Sequence, residues 1–156
     1  MATWQVGPFD NDDAVEWCGA LEHTTPDQRS YLVRRTLEVA VSAGRALAPE
    51  DAARAIAAAA TVLQSITGIP VSNSAYAPHF LLDRDDIPVN SPLRELATRS
   101  LDAVLADESS WRLRWAENIE GEEALRVIED LRVSLADSGA VESPQASDQT
   151  DRGTSR

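Results

Sequence analysis

The chain has 156 residues, 43% hydrophobic and 26% charged, a mixture suited to one globular domain and not to a wholly disordered chain. A single Cys excludes an intramolecular disulfide and any multi-Cys zinc site, and the longest apolar stretch, Ala55–Ala60, is too short to span a membrane. Acidic residues number 26 and basic residues 14, all of them Arg, for a net charge of -12, so neither nucleic acid nor an anionic membrane is expected as a partner.

Helical periodicity dominates from there on. A first helix is expected from about Asp10, with Asp10 as N-cap, Asp13 completing an acidic capping box and Phe9 stapling onto Ala14. Ala14, Trp17, Cys18 and Leu21 form its apolar face at i, i+3, i+4 and i+7. A second helix opens with Thr25, Pro26 and Gln28, buries Val33, Leu37, Ala40 and Val41, and stops at Gly44. A third begins at Pro49 with a Glu50–Arg54 pair, turns Ile56, Ala59, Ala60, Leu63 and Ile66 inward, and ends at Gly68 and Pro70.

Ile69 to Asn90 has no clear pattern and carries three prolines. A structureless stretch of that length either hides a short element near Tyr76–Leu82 or has a function. Ser91 and Pro92 open a fourth helix with Leu93, Ala97, Leu101, Val104 and Leu105 as its stripe. Ser109 or Ser110 caps a short fifth helix bearing Trp111 and Trp115, and Gly121 interrupts the pattern. Leu125, Ile128, Leu131 and Leu135 mark a sixth helix expected to end before Gly139. Residues 140–156 read as a disordered polar tail, because their composition cannot bury enough surface to offset the entropy of ordering. Thr3–Val6 could form a short extended segment. The expected architecture is all-α: one compact domain of five or six helices over residues 1–139, followed by the tail.

The opening Thr3-Trp4-Gln5-Val6-Gly7-Pro8-Phe9-Asp10-Asn11-Asp12-Asp13-Ala14-Val15-Glu16-Trp17 is the most distinctive segment. It resembles the start of a bacterial family catalogued as domain of unknown function 4259, whose members typically open with Trp-Gly-x-Gly-Pro-Phe-x-Asn-Asp-x-Ala-x-Asp-Trp. Gln5 stands here where Gly is usual, and Glu16 where Asp is usual. Tyr76-Ala77-Pro78-His79-Phe80-Leu81 and Asp107-Glu108-Ser109-Ser110-Trp111 echo the family more weakly, and the likeness spans roughly Met1 to Gly139. The resemblance implies a small, mostly helical bacterial domain and carries no activity with it.

Chemistry-bearing residues are few. Asp10, Asp12, Asp13 and Glu16 could hold a cation, since hard cations take carboxylate oxygens. As a calcium loop the run fails, because Ala14 falls at a ligand position, no Gly supplies the turn and Leu21 occupies the twelfth place. A helix start with dipole-matched acids explains the same residues. Asp83, Asp85 and Asp86 fail the calcium test in the same way at Ile87. Cys18 sits on an apolar face in an acidic neighbourhood, which suits a core thiol better than a nucleophile. His23 and His79 are the only histidines and have no His-x-x-x-His spacing, so no metal site or cofactor is expected. Tyr76, His79 and Phe80 could line a pocket or pack as an aromatic corner. Trp4, Gly7, Pro8, Phe9 and Trp17 read as a structural motif, with Gly7-Pro8 turning the chain so that the aromatic residues meet. Trp111-Arg112-Leu113-Arg114-Trp115 mixes aromatic and basic residues, but two Arg residues are thin support for nucleic-acid binding. Pairing with Glu108, Glu117 or Glu120 is expected for them instead.

Two functions are consistent with this pattern. The preferred one is a non-enzymatic interaction or regulatory module, immunity-like in its physics, that takes a basic protein partner on an acidic helix face. The alternative is a metal-assisted enzyme using the Asp10–Asp13 and Asp83–Asp86 carboxylates. With no basic, apolar leader at the N-terminus, a cytoplasmic location is expected. The sequence leaves the oligomeric state open.

Overall fold

The apolar stripes become helices in the computed structural model, which describes residues 12–43, 47–67, 90–106, 109–116 and 119–147. Six helices form among them, and no strand: α1 Asp12–His23, α2 Pro26–Ala43, α3 Pro49–Thr67, α4 Ser91–Leu105, α5 Ser110–Ala116 and α6 Gly121–Ser147. The all-α class is therefore as expected. The first eleven residues, and with them Trp4, Gly7, Pro8, Phe9, Asp10 and the Thr3–Val6 segment, lie outside the described residues. So do 68–89, with Tyr76, His79, Phe80 and the Asp83–Asp86 run.

α3 is the centre of the fold. Ala52, Ala53 and every residue from Ala55 to Gln64 are buried, so this helix is enclosed on all sides and not only along the expected stripe. A helix apolar all round is what a central position requires, and its alanines keep the bulk low enough for neighbours to approach from several directions. It packs against α1, α2, α4, α5 and α6, while α4 also meets α2 and α6. Ile66, expected to face inward, is only partly buried at the end of the helix.

The other stripes land as read. Ala14, Trp17, Cys18 and Leu21 of α1 are buried, as are Val33, Leu37 and Ala40 of α2 and Leu93, Ala97, Leu101 and Val104 of α4. Val41 and Leu105 sit at the core margin. In α6, Ile128, Leu131 and Leu135 are buried, with Leu125 partly so. Trp17 adds a polar tie, its Nε1–H donating to Thr36 Oγ1 at 2.9 Å, while the Thr36 hydroxyl donates to the Leu32 carbonyl at 2.8 Å. That chain of bonds joins α1 to α2.

Helix ends are set largely by side chains. Asn90, in extended conformation, caps α4 by accepting from the Leu93 N–H at 3.0 Å. Ser109 caps α5 by accepting from the Arg112 N–H at 3.0 Å, and its hydroxyl donates back to the Val104 carbonyl. At the C-terminus of α1 no glycine is needed. His23 Nδ1 donates to the Gly19 carbonyl, Thr24 Oγ1 to Ala20, Arg29 Nε to Leu21 and Arg29 NH2 to Glu22. Of the four carbonyls that a helix end leaves without intrahelical partners, those of Ala20, Leu21 and Glu22 are thus satisfied.

Two expectations need correction. Arg54 pairs with Asp51 at 3.0 Å and with Asp13 of α1 at 3.6 Å, where the sequence pointed to Glu50. And α6 continues past Gly139 to Ser147. A glycine within a helix costs about 1 kcal/mol, which a long helix can carry, and Gly139 therefore need not stop it. Residues 148–156 lie outside the described residues.

Gly19 offers a direct test of α1. A methyl group there would meet nothing within 4 Å, so Gly19→Ala should stabilise the fold by about 0.5–1 kcal/mol through helix propensity alone. The expected observation is a higher urea midpoint at unchanged slope.

Candidate functional site

The acidic start of α1 disperses into structural work and solvent exposure. Asp12 and Glu16 are exposed, whereas Asp13 is partly buried and faces Arg54. Trp17 belongs to the core, 5% exposed. Among the described residues no three His, Cys, Asp or Glu side chains stand close enough to hold a metal ion. The partners that a cation site would draw on, Asp10, His79 and Asp83–Asp86, lie outside them. Burial pushes the Cys18 thiol up to about 12, so no thiolate forms near neutral pH and the side chain serves packing. His23 is exposed and spent on the Gly19 carbonyl.

A different place emerges where α5 hands over to α6. An open groove of about 320 Å³ is lined by Arg112, Trp115, Ala116, Ile119, Gly121, Glu122 and Leu125. The ring of Trp115 packs against Trp111, centroids 6.2 Å apart and tilted by 50°, and with 3% exposure it offers only an edge. Leu125 supplies the second apolar wall and is itself half-buried. Ile119, in the turn between the helices, is 99% exposed beside the groove. One acid, Glu122, lines it opposite the cationic Arg112; Glu123 follows in the first helical turn, and Glu120 precedes it, its carbonyl accepting the first α6 bond from Ala124 N–H at 2.9 Å. All three side chains are exposed, and acids at this end of a helix are favoured by its dipole.

Gly121 makes the groove possible. A Cβ there would fall inside the contact radius of the Trp115 carbonyl oxygen, so the first turn of α6 can cross the end of α5 only with glycine at this point. Gly121→Ala should therefore cost about 1–3 kcal/mol, the range for overpacking against atoms that cannot yield. Chemical denaturation should register the loss, opposite in sign to the effect at Gly19.

Arginine use separates this surface from a cationic one. Arg112 extends its NH1 to the Leu105 carbonyl at 2.7 Å, a backbone partner that the sequence reading did not anticipate. Arg29 is buried on the end of α1, and Arg54 lies between Asp13 and Asp51. Arg132 of α6 grips both carboxylate oxygens of Asp102 on α4, an exposed pair that contributes little to stability. The Trp-Arg-Leu-Arg-Trp segment thus buries both tryptophans in the core. The groove was not foreseen, because its walls come from two helices. The signals that could have found it are Gly121 and an unsheltered Ile119 in a polar turn.

Fold and surface together define an acidic all-α domain built around a buried central helix. No helix among the described residues is long and apolar enough to cross a membrane. The chain belongs to the family described as Domain of unknown function (DUF4259), whose profile matches residues 2–127. That span includes the N-terminal motif and ends inside α6, short of the Gly139 limit suggested by the motifs. Comparisons with curated proteins and with solved structures give no match.

Proposed function

We propose that this chain acts by binding, as an acidic interaction module for a basic protein. The observation that carries the reading is the excess of acid on the surface. Asp12, Glu16, Glu122, Glu123, Glu129 and Asp130 stand exposed and outnumber the exposed Arg34, Arg35, Arg99 and Arg126. With a net charge of -12, the resulting field attracts a cationic surface and accelerates its encounter.

Affinity capture from a bacterial lysate at low ionic strength, followed by association kinetics of the captured protein, tests the reading. The captured protein should be basic. Its association rate should fall at least about tenfold as salt rises towards 1 M, where the Debye length is about 3 Å, while dissociation changes less. A salt-independent association rate, or an acidic partner docking near Arg112, would overturn it.

A further inference from the structure

We draw no further inference here: the strongest candidate, the open α5–α6 groove with the exposed Ile119 at its lip, is lined by charges of both signs, Arg112 and Glu122, and nothing in the structure shows what covers it.

Discussion

Trp17→Ala is expected to destabilise the domain by about 3–5 kcal/mol, the usual cost of removing a large aromatic side chain from a core. Trp17 is 5% exposed and sits on the α1 face that also carries Ala14, Cys18 and Leu21. Its loss opens a cavity between α1 and the rest of the bundle and leaves Thr36 without the indole donor. Trp17→Phe separates the two contributions. It keeps a buried aromatic ring, gives up part of the indole volume and loses the 2.9 Å bond to Thr36 Oγ1, the hydrogen bond alone contributing a net cost of about 1 kcal/mol. Urea unfolding of the two variants checks the ordering. Since whole domains of this kind are stable by only about 5–15 kcal/mol, Trp17→Ala should lower the melting temperature by roughly 10 °C or more. If Trp17→Phe costs as much as Trp17→Ala, the indole N–H and not the buried ring holds α1 in place.

Arg29→Ala should cost about 3 kcal/mol. Arg29 is a buried cation, 5% exposed, whose Nε donates to the Leu21 carbonyl at 3.0 Å and whose NH2 donates to Glu22 at 2.8 Å. These are charge-assisted bonds to the negative end of a helix dipole. Truncation removes the guanidinium donor from the Glu22 carbonyl and leaves Leu21 with the longer bond from the Thr24 N–H at 3.2 Å. Arg29→Lys should recover only part of the loss, because an ammonium cannot reproduce the planar fork that spans two carbonyls. Chemical denaturation of wild type, Arg29→Lys and Arg29→Ala should give stabilities in that order. Hydrogen exchange should show the last turn of α1 opening first in the Ala variant. Equal stability of all three would mean that water satisfies these carbonyls as well as the guanidinium does.

Both variants act at features that differ in how legible they were. Trp17 was readable because its role follows from spacing alone: Ala14, Trp17, Cys18 and Leu21 share one helix face at any tertiary arrangement. Arg29 was not, since nothing local marks an arginine eight residues after Leu21 as its cap. Only the reversal of the chain between α1 and α2 brings the two together. The same contrast holds at the candidate sites. The acids of α1 were visible as a run, yet Asp13 is drawn to Arg54 by the packing of α1 on α3, a contact between residues far apart in the chain.

The sequence by itself determined the helical class, the inward faces of α1, α2, α4, α5 and α6, and the family, through the motif that precedes and opens α1. Periodicity and composition suffice for those because each depends on residues within a few turns of one another. Tertiary structure alone decided that α3 is enclosed on every side, that Arg29 closes α1, and that Ile119 stands exposed beside a groove. Each of these depends on which helix lies against which. The alanine-rich run of α3 has room for several neighbours, but it does not say which ones will occupy it. Gly121 shows the limit most clearly. In the sequence it is a break in a pattern, whereas in the fold the backbone of α6 presses there against the carbonyl of Trp115, and the two helices meet beside the groove at that point.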